Sequence, residues 1–296
     1  MNREGFIDIP SGKIWYRIVG VEKEGIPLLI LHGGPGGCHN YLELLEVLSD
    51  QRPVIFYDQL GCGNSERPQN RSLWTVEHYV KELVKVRGAL KLKTFHLLGH
   101  SWGTMLAAAY VLSEHPAGVV SLILSGPFLS APRFINDQRS HLRELPEETQ
   151  RTIIECEKSG HFNNPDYQSA MLKFYKKHVC RLDIWPECIN QSFTKMGEDI
   201  YKYMWGPSEF TVTGTLQNTD LSDRLKEIYI PTLLTCGQYD EATPATTAYY
   251  QSLLPNSEMV IFENASHEHH LEKTELFLNT VRTFLNRIEE ERKKHD

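Results

Sequence analysis

One serine in this chain stands between small residues in a pattern suited to nucleophilic chemistry. Gly99-His100-Ser101-Trp102-Gly103 follows the apolar run Phe95-His96-Leu97-Leu98 and precedes Thr104-Met105-Leu106-Ala107-Ala108-Ala109. The order reads as strand, tight turn and helix start. A hydroxyl is a poor nucleophile unless it is held exposed beside a base and beside amide donors, and a strand-to-helix turn flanked by glycines does this. The helix start adds the positive end of a dipole where negative charge develops during acyl transfer.

A nucleophilic serine needs a base, and the base needs an acid to orient it. Where the serine sits on such a turn, the acid follows a late strand and the histidine follows the last one, the order of the α/β-hydrolase layout. Asp240 lies in Gly237-Gln238-Tyr239-Asp240, directly after the apolar run Thr232 to Cys236. His267 lies in Asn264-Ala265-Ser266-His267, directly after Met259 to Phe262. His267 is the expected base and Asp240 the expected acid, with His269 and His270 as close rivals to His267. His100 adjoins Ser101 but should face away across the turn, as packing or loop support. His96 should be buried structure.

An oxyanion needs two amide donors. The backbone N–H of Trp102, the residue after the serine, supplies one. The second should come from the glycine-rich loop His32-Gly33-Gly34-Pro35-Gly36-Gly37, after the run Leu28 to Leu31, because glycine lets backbone approach substrate closely. Gly34 is the expected donor and Gly33 an expected substrate contact. The loop lacks the Gly-Lys-Ser/Thr ending of a phosphate-binding loop. His267-Glu268-His269-His270 fails the His-Glu-x-x-His zinc pattern, because Leu271 stands where the second histidine belongs. No metal and no organic cofactor is expected.

These residues must be positioned by a sheet. Residues 1 to 127 alternate strand-like and helix-like segments: strands at Lys13 to Val19, Pro27 to Leu31, Val54 to Tyr57, Phe95 to Leu98 and Leu122 to Ser125, and helices at Tyr41 to Leu48 and Val76 to Leu90. Such alternation implies a mostly parallel sheet with helices on both faces. From 128 to 221 charged and aromatic residues recur at helical spacing, broken by prolines, which reads as an inserted helical cap. The core resumes over 222 to 296 and ends in an amphipathic helix, Glu275 to Glu291, with a charged tail, Glu289 to Asp296, expected to fray.

Composition narrows the function further. A net charge of -7 and the lack of a basic patch argue against a nucleic-acid partner. No apolar run approaches the ~18 residues of a membrane span, and the N-terminus lacks the apolar stretch of a signal peptide. Six cysteines without paired spacing suit free thiols in a reducing cytoplasm.

Taken together, His32 to Gly36, Asp58-Gln59-Leu60-Gly61-Cys62-Gly63-Asn64-Ser65 and Gly99 to Gly103 resemble the prolyl aminopeptidases, or proline iminopeptidases, of the α/β-hydrolase superfamily. The cap motif Trp205 to Gly214 resembles the archaeal tricorn-interacting aminopeptidases, and the likeness continues through Ile230 to Pro244. Thr104 departs from the pattern, since many members carry a second glycine there. The resemblance implies a serine aminopeptidase acting on short peptides, with a preference for N-terminal proline. It also implies that Glu209 and Glu241 hold the substrate's free α-ammonium. Two other readings stay open: an amino-acid amidase or aminoacyl esterase using the same three residues, and a hydrolase-fold binding protein without activity.

Overall fold

The computed structural model describes residues 1–294. Eight strands form one sheet: β1 (Asn2–Ile9), β2 (Gly12–Val19), β3 (Leu28–Leu31), β4 (Val54–Tyr57), β5 (Phe95–His100), β6 (Val119–Ser125), β7 (Thr232–Gly237) and β8 (Ser257–Phe262). Their order is β1-β2-β4-β3-β5-β6-β7-β8. β1–β2 and β2–β4 are antiparallel and the remaining pairs are parallel.

The central strands are continuous apolar runs because both faces are covered. Every residue of β3, β4 and β5 is buried, as expected for parallel strands packed between helix layers. β1 gives no such signal. It is an edge strand with a charged, mostly exposed sequence, NREGFIDI, in which only Ile7 is buried, so its pairing with β2 decides its conformation.

Ten helices complete the chain: α1 (Val76–Ala89), α2 (Trp102–Glu114), α3 (Ala131–Arg143), α4 (Glu147–Ser159), α5 (Pro165–Phe174), α6 (Glu187–Thr194), α7 (Glu198–Met204), α8 (Pro244–Leu253), α9 (His269–Glu272) and α10 (Thr274–Lys293). The expected helix around Tyr41 to Leu48 is a run of tight 3₁₀ turns over His39–Asp50. α2 is buried from Trp102 through Leu112, which explains its run of alanines: large side chains have no room there. α10 runs on to Lys293, past the point where the charged tail was expected to fray. Ile288 is buried, and Glu289 is paired with buried Arg52 and lies 3.2 Å from His96 Nε2. Residues 295 and 296 of that tail lie outside the described residues.

Helices α3 to α7 lie between β6 and β7 and form a cap with its own small core of Leu142, Ile153, Tyr167, Phe174 and Phe210. A short π-helical turn, Tyr175–Val179, ends α5. Backbone bonds tie this cap to the loops after β3, β7 and β8. Gly197 N donates to Gly36 O at 2.8 Å, Glu241 N and His267 N both donate to His178 O at 3.2 and 3.0 Å, and Glu268 N donates to Val179 O at 2.8 Å. Among the described residues, no helix is long and apolar enough to cross a membrane.

Candidate active site

Ser101 sits at the turn between β5 and α2 with φ 54° and ψ -124°. A non-glycine residue at positive φ is costly and persists only where its surroundings enforce it. The glycines make the turn possible. A Cβ on Gly99 would fall on the Gly103 carbonyl, and one on Gly103 would fall on the Leu31 carbonyl. Thr104, where the family often has glycine, is used here. Its hydroxyl donates to Ser101 O at 2.7 Å and accepts from Phe128 N at 2.8 Å, fixing the start of α2 to the chain after β6.

His267 is the histidine that meets the acid. Its Nδ1 lies 2.7 Å from Asp240 Oδ1. Asp240 is fully buried and accepts from Ala242 N at 2.8 Å and Gly237 N at 3.2 Å. His269 Nδ1 lies farther from the acid, 3.7 Å from Asp240 Oδ2, and the Nε2 atoms of His269 and His270 have other partners. His269 Nε2 meets Ser125 Oγ at 2.9 Å and Thr235 Oγ1 at 3.0 Å, and His270 Nε2 meets Tyr41 O at 3.1 Å. His100 does not face away from the serine: it lines the same cleft, where its Nε2 contacts His267 O at 3.2 Å and its Nδ1 contacts Tyr41 Oη at 3.0 Å. His96 is fully buried.

His267 Nε2 is buried and makes no hydrogen bond among the described residues. Ser101 and His267 line one cleft, and among the described residues no hydrogen bond joins the hydroxyl to the imidazole. Such bonds often tighten only when substrate arrives.

The amides of Gly34 and Trp102 have no protein acceptor among the described residues. Gly34 precedes a cis peptide to Pro35 and has φ +119°, a conformation that favours glycine. The Gly33 N–H is already used, donating to Tyr41 Oη at 2.7 Å. Gly33 still lines the cleft, so close that a Cβ there would lie 3.0 Å from Ser101 Cβ.

Glu209 and Glu241 reach the same cleft from cap and core. Glu209 Oε1 accepts from Tyr201 Oη at 2.6 Å. Glu241 Oε1 lies 3.6 Å from His267 Nε2, and its Oε2 is buried without a partner. Burial raises both carboxyl pKa values, and Glu209 raises that of Glu241 further. Burial alone would lower the pKa of His267, but the Asp240 and Glu241 carboxylates outweigh it and raise it to about 10. Among the described residues, no lysine or arginine lines the cleft.

Several lining residues went unread in the sequence, among them Tyr41, Trp185, Tyr201 and Glu268. Burial lifts the Glu268 carboxyl to about 8. Only the position of Glu268, directly after His267, carried a local signal. The aromatics at 128, 134, 174, 175 and 203 do not line the cleft. Phe128 and Phe134 pack on Trp205 instead.

The fold puts this chain among the α/β hydrolases, and residues 26–274 match the family described as alpha/beta hydrolase fold. The chain is 47% identical over 290 residues to a proline iminopeptidase of Heyndrickxia coagulans, covering 97% of this chain and all of that protein. The crystal structure of proline iminopeptidase from Mycobacterium smegmatis superposes with a TM-score of 0.90 at 34% identity, over 97% of this chain and 98% of that one. The crystal structure of VinJ superposes with a TM-score of 0.92 at 33% identity, over 97% and 99%. Within the α/β hydrolases, the chain belongs to the proline iminopeptidase family.

Proposed function

We propose that this chain is a serine aminopeptidase that releases N-terminal residues, proline foremost, from short peptides through an acyl-enzyme. Ser101 Oγ attacks the carbonyl of the first residue while His267 Nε2 takes its proton. Asp240 holds the imidazole through Nδ1 and stabilises its charged form. The amides of Gly34 and Trp102 hold the oxyanion. His267 then protonates the leaving amine, and water, activated by the same imidazole, releases the product.

The observation that carries this reading is the pair Glu209 and Glu241. Two buried carboxyl groups lie in a cleft where, among the described residues, His267 is the one basic side chain near them, and the Glu241 Oε2 has no partner. Burying charge without a partner is costly, so the site is complementary to a cation of ammonium size. A free α-ammonium fits that description, and it lies a fixed two bonds from the scissile carbonyl. Gly33 allows close approach on the far side of the serine. The cap, stitched over the cleft, suits short chains. The net charge of -7 disfavours nucleic acid, and six free cysteines suit the reducing cytoplasm.

The test is hydrolysis of aminoacyl arylamides with and without N-acetylation, with Ser101→Ala as control. Prolyl arylamide should be cleaved, its acetylated form should not, and Ser101→Ala should be inactive. Equal cleavage of both forms, or activity on esters alone, would leave a general hydrolase.

A further inference from the structure

A second cluster of chemistry-bearing side chains lies where the cap meets the loop after β7. His141, on α3, and His178, in the π-helical turn, stack with ring centroids 3.8 Å apart and an interplanar angle of 31°. Glu144 follows one turn after His141. One nitrogen of each ring and a Glu144 carboxylate oxygen all lie within 4.8 Å of one another.

Both rings have Nε2 buried and without a partner. His178 is 2% exposed, and its Nδ1 lies 2.9 Å from the Tyr239 carbonyl. That contact fixes the proton on Nδ1 and leaves the Nε2 lone pair free. An imidazole that donates one nitrogen to a backbone carbonyl and aims the other into a shared space is the usual arrangement of a metal ligand. An unpartnered buried acceptor is otherwise a cost, and here two of them adjoin one carboxylate.

We propose that His141, His178 and Glu144 bind a divalent transition-metal ion of the zinc class, which clamps the cap to the loop carrying Asp240 and Glu241. Two imidazoles and a carboxylate suit zinc or cobalt, with water as the remaining ligand on the exposed Glu144 side. Tetrahedral binding at ~2.0–2.1 Å needs ligand atoms roughly 3.4 Å apart with each ring edge-on to the ion, so the two imidazoles, now stacked 3.8 Å apart, unstack when it binds. Lys177 Nζ now holds Glu144 Oε2 at 2.6 Å, and the ion displaces it. The ion takes no part in the hydrolysis.

A second grouping, His100, Glu268 and His270, lies in the catalytic cleft. Both nitrogens of His100 are committed there, so it serves as the control. The protein is stripped with a chelator, then titrated with Co²⁺, followed by visible absorption, and with Zn²⁺ against a chromophoric chelator. Wild type should bind one equivalent, with a tetrahedral cobalt spectrum and a raised melting temperature. His141→Gln and Glu144→Gln should bind at least about tenfold more weakly, lose that spectrum and melt at one temperature with or without zinc. Lys177→Ala should bind more tightly, because it frees Glu144. Glu268→Gln should bind like wild type. The proposal is overturned by a wild type that binds no stoichiometric metal, by undiminished binding in His141→Gln, or by loss of the equivalent in Glu268→Gln.

Discussion

Glu241→Gln should have opposite effects on two substrates, because Glu241 faces both the expected ammonium and the base. Its Oε1 lies 3.6 Å from His267 Nε2, and both groups are buried. Were both groups fully ionised they would interact by about 4–5 kcal/mol at an effective dielectric of about 20, and the raised Glu241 carboxyl makes that an upper bound. That corresponds to at most roughly 3 pKa units on the imidazole. The Asp240 and Glu241 carboxyl groups raise the His267 pKa, so in the free site the imidazole holds its proton more tightly than a free histidine and is a poorer acceptor for the serine proton. A substrate ammonium between Glu209 and Glu241 cancels the charge that holds the proton. Substrate therefore frees its own base, and an N-acetylated analogue does not.

The variant separates the two roles of Glu241. On prolyl arylamide it loses a desolvated charge partner, worth ~2–5 kcal/mol, so kcat/KM should fall by about 30-fold or more. On N-acetylprolyl arylamide the base is freed without any ammonium, so the low wild-type rate near neutral pH should rise, by up to a few hundredfold. The acid limb of kcat/KM, which reports the free enzyme, should move down by up to about 2–3 pH units. The assay is kcat/KM for both substrates in wild type and variant, from mildly acidic to alkaline pH. A parallel loss on both substrates with an unmoved acid limb would refute the reasoning.

Further outcomes test the assignment of the base and the buried acids. His267→Gln should lose about 10⁴-fold or more in kcat, and it should also lose stability because buried Asp240 loses its imidazole partner. His269→Gln should keep kcat within a few-fold but lose about 1–3 kcal/mol in denaturant unfolding, since its contacts to Ser125 and Thr235 are buried. The reverse pattern in kcat would move the base to His269. Glu82 is buried, accepts from Leu60 N at 3.1 Å, and has its carboxyl raised by burial to about 8. That value lies above the unfolded ~4.3, so its contribution to stability is complete below about pH 4 and is lost as pH rises through about 8. Glu82→Gln should therefore match wild type in acid and gain up to about 5 kcal/mol at alkaline pH. Equal pH–stability curves would contradict this.

The features legible in the sequence are those encoded by local patterning. Ser101, Asp240 and His267 each follow an apolar strand, so a short window carries strand, turn and functional residue together. The choice between His267, His269 and His270 needed three dimensions, because it depends on which imidazole lies opposite Asp240. Tyr41 and Tyr201 were silent for the same reason. Tyr41 reaches Gly33 and His100 from a run of 3₁₀ turns, and Tyr201 reaches Glu209 from α7. Neither contact has a sequence period. The cap's grip on the site passes through main-chain atoms, such as His178 O serving both Glu241 N and His267 N, and a backbone bond does not depend on residue type. β1 was missed because an exposed edge strand can be built from charged residues when its neighbour supplies the template.

The most direct test of the whole account is to trap the acyl-enzyme. Wild type would be mixed with an activated prolyl ester, quenched in acid within the first turnovers, and examined by intact-mass and peptide mass spectrometry. The account predicts a prolyl adduct on the peptide containing Ser101, absent from Ser101→Ala and absent when the ester is N-acetylated. Turnover without an adduct on Ser101, or an adduct on another residue, would contradict it.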